Sequence, residues 1–144
     1  MERDYKIIAV DFDGTLFETD YPHIVRPILP VIEMAKARQE KGDKLILWTC
    51  REGPELDAAV EACREQGLEF DAVNDNLEEM KAKWGNNPRK IAASEYWDDR
   101  AVDTKMFETL SYLAQKMMID GTGEKKEVGN IDPAGLVNFE PTED

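Results

Sequence analysis

Residues 6–16 read KIIAVDFDGTL. Lys6 to Val10 is a short apolar run rich in β-branched residues, the pattern of a strand buried on both faces. It runs without a break into the acidic, glycine-containing stretch DFDGT. In an open α/β sheet, ligands bind beyond the carboxyl ends of the strands, near the point where the strand order reverses. What each apolar run carries at its carboxyl end is therefore the informative feature.

Working outward, Lys44 to Thr49 (KLILWT) has the same form and empties into TCREG. Between the two runs, Ile28, Val31, Ile32, Ala35 and Arg38 recur at helical spacing within Arg26 to Lys41, and Gly42 supplies a stop. Pro54 to Gln66 carries Leu56, Ala59, Val60 and Cys63 on one helical face and ends at Gly67. Leu68 to Val73 reads as a third strand, running into Asn74-Asp75-Asn76. Leu77 to Trp84 reads as a short helix. Lys90 to Trp97 reads as a fourth strand, ending in Asp98-Asp99-Arg100. Asp103 to Met118 reads as a helix striped by Met106, Leu110, Leu113 and Met117.

Strands alternating with helices predict an α/β fold: a Rossmann-like three-layer α/β/α arrangement around a mainly parallel sheet. The expected organisation is one catalytic domain over residues 1–119 and an acidic C-terminal extension over 120–144. The extension has no helical period and reads as an arm or a short β excursion. Trp48 and Trp97 lie inside strands and are expected in the core.

Four apolar runs end in polar clusters, and two of those clusters hold paired carboxylates: Asp11 with Asp13, and Asp98 with Asp99. Crowded carboxylates repel and are stable in ionised form beside a cation. Hard oxygen donors select magnesium or calcium. One histidine and two cysteines do not support a structural zinc site. Asp11 and Asp13 alternate along an extended chain, so one can attack phosphorus while the other moves a proton. Gly14 lets the backbone turn sharply and approach a phosphate. Thr49 can offer a hydroxyl and an N–H to phosphate oxygens. Asp98 and Asp99 also suit a helix N-cap, and both roles can coexist.

DFDGTL at Asp11 to Leu16 resembles the first motif of the haloacid dehalogenase superfamily, in its phosphatase branch. Thr49 after KLILW is similar to the second motif, Lys90 to the third, and Asp98-Asp99 to the fourth. The resemblance covers residues 5–118. It implies Asp11 as nucleophile, forming an aspartyl-phosphate, and Asp13 as general acid and then base. It implies Thr49 as a phosphoryl-binding residue and Lys90 as the charge-screening lysine, with Lys83 and Lys81 as alternatives. Mg2+ is the implied cofactor, held by Asp11, Asp13 (through its carbonyl), Asp98 and Asp99. TCREG at Thr49 to Gly53 and DDR at Asp98 to Arg100 are similar to loops of polynucleotide 3′-phosphatases and related nucleotidases. Cys50 and Arg51 within that loop, Gly14 through its close backbone approach and Asn74 through its place at the end of the third strand are expected to face the substrate. Arg51 can grip a second phosphate, or a carboxylate, by a bidentate contact.

The gap after the first strand holds little beyond one helix, and the gap after the third is short, so no sizeable cap domain is expected. An open site admits large substrates or is closed by a neighbouring subunit in a homo-oligomer. The implied activity is a magnesium-dependent phosphomonoesterase acting on a nucleotide, a polynucleotide end or another small phosphoester. The rivals are a non-catalytic or regulatory phosphate- or partner-binding protein with the same fold, and a phosphotransferase. The net charge of -13 disfavours duplex nucleic acid as a partner. No apolar run is long enough to span a membrane, no secretory pattern is visible, and cysteine usage suits a reduced cytoplasmic setting.

Overall fold

Strand β1 (Ile7–Val10) has all four residues buried, as a strand covered on both faces requires. The structure, a computed structural model, describes residues 3–122. A hairpin of β2 (Phe17–Asp20) and β3 (His23–Pro27) follows β1, then helix α1 (Leu29–Glu40) and strand β4 (Lys44–Leu47). Helix α2 (Gly53–Glu65), strand β5 (Ala72–Val73), helix α3 (Glu78–Trp84), strand β6 (Glu95–Trp97) and helix α4 (Lys105–Thr122) complete the order. The main sheet has the order β5-β4-β1-β6, with every neighbouring pair parallel. Strand order therefore reverses between β1 and β6.

Alternation along the strands builds the layers. Ile8, Val10, Leu45 and Leu47 pack with Ile32 and Ala35 of α1 and Ala59 and Cys63 of α2. Ile7, Ala9 and Ile46 face the other way, onto Leu77, Ile91 and Met80 of α3. The chain is thus an α/β protein with a Rossmann-like three-layer body. Each fully buried Ile or Leu contributes about 1.5–3 kcal/mol, so the two clusters fix which face of the sheet each helix covers.

Several boundaries differ from expectation. The gap after β1 holds the β2–β3 hairpin as well as α1. Arg26 lies in β3 rather than in the helix, consistent with Pro27 disfavouring helical backbone before it. β5 and β6 are shorter than the apolar runs that mark them. Before β6, the Ser94 N–H still donates to the Ile7 carbonyl (2.7 Å), whereas the Ala92 N–H donates to a side chain, Asn76 Oδ1 (2.8 Å). α4 continues to Thr122, so the extension's first residues are helical; the remainder of the extension lies outside the described residues. Trp48 is not a core residue but 37% exposed, since β4 ends before it.

Contacts divide the chain after Ala101 into two compact units. The first holds the sheet, the hairpin and α1 to α3; the described part of the second holds α4. No helix among the described residues is long and apolar enough to cross a membrane.

Candidate active site

The loop leaving β1 is wound tightly. The Phe12 carbonyl accepts the N–H groups of Thr15 (3.2 Å), Leu16 (3.1 Å) and Phe17 (3.1 Å), and Gly14 N–H donates to the Phe17 carbonyl (2.8 Å). Phe12 and Phe17 stack at 5.0 Å and anchor the loop in the core. Asp11 N–H donates to the Trp97 carbonyl at 2.9 Å, tying the end of β1 to the end of β6. This is the reversal point of the sheet, the place where a ligand site is expected.

One carboxylate oxygen each from Asp11, Asp98 and Asp99 lie within 4.8 Å of one another. Asp99 is held from below: its N–H donates to Thr15 Oγ1 (3.2 Å), whose hydroxyl reaches Asp99 Oδ1 at 3.5 Å. Gly14, at φ +79°, passes so close that an added Cβ would sit 2.6 Å from Asp99 Oδ2. Burial, reinforced by the charges of Asp98, Asp13 and Asp99, pushes the Asp11 carboxyl up to about 6. Such a crowded set of hard oxygens fits a magnesium-type cation.

Asp13 points elsewhere. Arg51, with 1% of its side chain exposed, donates to both Asp13 oxygens, from Nε at 2.9 and 3.2 Å and from Nη2 at 2.7 Å. Burial acts upward on the Asp13 carboxyl, but the Arg51 and Thr19 hydrogen bonds outweigh it and hold the carboxyl below the usual aspartate range. Arg51 also donates to the Pro22 carbonyl (3.2 Å) in the hairpin turn and stands over the rings of Phe12 (5.0 Å) and Tyr21 (4.9 Å). The bidentate grip expected of Arg51 is thus on a carboxylate of the chain itself.

Thr49 and Asn74 brace one another. Thr49 N–H donates to Asn74 Oδ1 (2.8 Å), and Asn74 Nδ2 donates to the Arg51 carbonyl (3.3 Å). Thr49 Oγ1 accepts the Arg51 N–H at 3.1 Å. The Thr49 N–H is therefore engaged within the chain, and Asn74 acts as a strut between strand ends. A cavity of about 710 Å³ opens over Asp11, Asp13, Thr49, Cys50, Arg51 and Asp98, all expected at the site. Four further wall residues, Thr19, Tyr21, Trp48 and Arg100, were not among the expected site residues. Thr19 and Tyr21 come from the unforeseen hairpin, whereas Arg100 directly follows the acidic pair.

Lys90 is not brought to the carboxylates. It is exposed, its ammonium stands 5.5 Å from the Tyr96 ring centroid, and it does not line the cavity. Lys81 pairs with Asp75 (2.9 Å) and Glu78 (2.7 Å), and Lys83 is exposed. Among the described residues, the cations on the wall are Arg51 and Arg100.

No family model matches the chain, and no curated protein matches it. Among solved structures, the chain is similar to a conserved protein coded by a locus of Bacteroides thetaiotaomicron. Identity is 38% over 77% of this chain and 93% of that chain, with a TM-score of 0.61. The chain belongs to the same family as that conserved bacterial protein.

Proposed function

We propose that this protein is a magnesium-dependent phosphomonoesterase of the haloacid dehalogenase type, working through an aspartyl-phosphate on Asp11. The carrying observation is the meeting of Asp11, Asp98 and Asp99 within 4.8 Å at the strand-order reversal, directly after a buried strand. Asp11, Asp98 and Asp99, with the Asp13 carbonyl, would hold the cation, which supplies Lewis-acid stabilisation of the phosphoryl oxygens when bound. The Asp11 carboxylate attacks phosphorus, the ester P–O bond breaks, and Asp13, which carries a proton into this step, gives it to the leaving alcohol oxygen. Water then attacks the aspartyl-phosphate and gives a proton to Asp13, which releases inorganic phosphate and restores Asp11. Arg51 favours the ionised form of Asp13 and so suits it to the base step. Arg100, on the wall and without an ion pair among the described residues, can meet the phosphate oxygens.

Phosphate release from 4-nitrophenyl phosphate is expected to require magnesium and to fall to the uncatalysed background in Asp11→Asn. Turnover persisting in that variant overturns the mechanism. A second reading, a phosphate-binding protein without turnover, draws support from the lack of a wall lysine among the described residues and from the engaged Asp13. Magnesium binding with no release across a broad phosphoester panel selects it.

A further inference from the structure

Two large aromatic side chains stand exposed on the cavity wall, Trp48 at 37% and Tyr21 at 64%. Neither belongs to a core cluster of the fold. Both are nevertheless braced from behind. Trp48 leans on Tyr96 with ring centroids 5.6 Å apart, and the Tyr96 hydroxyl donates to the Ile91 carbonyl at 2.5 Å. Tyr21 carries the buried Arg51 guanidinium over its ring at 4.9 Å, while Arg51 also ties down the adjacent Pro22 carbonyl at 3.2 Å. Aromatic surface held rigidly and left wet contributes little to folding, but it is pre-organised for a flat apolar partner.

Resting on the phosphoesterase reading, the geometry points to a leaving group that carries a planar aromatic ring, stacked on Trp48 and flanked by Tyr21, while the phosphate faces Asp11. The cavity, at about 710 Å³, lies within the range of about 300–1,000 Å³ typical of small-molecule sites. It thus has room for a ring beyond the phosphate. A nucleoside and a simple aryl alcohol share this chemistry and differ in how far the ring lies from phosphorus.

The test uses the full chain with magnesium and three esters: a nucleoside 5′-monophosphate, ribose 5-phosphate and phenyl phosphate. Calorimetry reads binding, and phosphate release reads turnover. At least one ring-bearing ester is expected to exceed ribose 5-phosphate by about 5- to 100-fold in both, the size of one stacking contact. Trp48→Ala should bring that ratio close to one, Trp48→Phe should retain most of it, and Tyr21→Ala should lower it. Preference for the nucleotide places the ring across a sugar, and preference for phenyl phosphate places it beside phosphorus; either supports the assignment. Equal affinity for all three esters, or a ratio unmoved in Trp48→Ala, overturns it. Ring-dependent binding without turnover keeps the aromatic site and refutes the phosphoesterase reading. Turnover without ring dependence does the reverse.

Discussion

At Gly14 the backbone passes hard against Asp99 of the acidic cluster. Its φ of +79° costs an L-residue about 1–2 kcal/mol, and a Cβ there would collide with Asp99 Oδ2 at 2.6 Å. Gly14→Ala is therefore expected to lower the melting temperature and, by pushing Asp99 aside, to weaken magnesium binding several-fold. Calorimetric titration of magnesium into the folded variant checks this; unchanged affinity would remove Asp99 from the cation site. At this scale the sequence was informative wherever a residue's position follows from its place at a strand end, as for the meeting of Asp11, Asp98 and Asp99. It was uninformative where the role depends on a partner distant in the chain. Nothing local in Arg51 says that it grips Asp13 and the Pro22 carbonyl, and nothing in Thr15 beyond its motif says that it seats Asp99. Trp48 continues an apolar run, the pattern of a core residue. Its exposure follows from β4 ending one residue earlier.

Between elements, a polar network is built around Arg38. That residue sits on the helical stripe of α1, but its guanidinium reaches Asp43 (2.6 Å) and both oxygens of Glu95 (3.0 and 2.6 Å). Asp43 also accepts the Lys6 N–H at 2.9 Å, so one cluster links the end of α1, the entry to β1 and the start of β6. The Lys6 N–H and then Arg38 hold the Asp43 carboxyl below its usual 3.8. Arg38 holds Glu95 below its usual 4.5. A carboxyl that is more acidic when folded stabilises the fold fully above its unfolded value, and that stability is lost as pH falls through the folded value. The contribution of Asp43 and Glu95 to stability should thus be flat above about pH 5 and fall steadily below about pH 4, within the window set by these reference values, while the raised Asp11 carboxyl acts with the opposite sign and is unchanged between parent and Asp43 variant. Asp43→Asn, at a buried position, should cost about 1–3 kcal/mol near neutrality and flatten the acid limb. Urea unfolding at pH 7, 5 and 3.5 checks both, and an acid limb as steep in the variant as in the parent would count against the network. The main strands and helices were legible because their apolar periods are strong. The β2–β3 hairpin was not, because FETD and HIVRP lack a clean alternation and pair mainly with each other. Its one buried anchor, Phe17, lies directly after the DFDGTL motif that draws the eye to chemistry.

Across the whole chain, the acidic balance acts on the two charged ligands of the proposed reaction with opposite signs. Every cavity residue falls within the first unit, but the net charge of -13 belongs to the entire chain. At about 10 mM ionic strength the Debye length is about 30 Å, so distant carboxylates are felt at the site; at about 150 mM it is about 8 Å and they are not. A phosphoester dianion approaches against this field, while magnesium is drawn in by it. With magnesium saturating at each salt concentration, kcat/KM for a dianionic ester should therefore rise as ionic strength increases from about 10 to 150 mM. Over the same range the magnesium concentration needed for half-maximal activity should also rise, because screening weakens attraction of the cation. A site whose substrate contacts were dominated by surface lysines and arginines would show kcat/KM falling instead. Measuring both quantities in one salt series separates the molecule-wide field from the local cations, Arg51 and Arg100. A kcat/KM that falls with salt under saturating magnesium would mean that these two arginines, rather than the acidic chain around them, govern how the phosphate arrives.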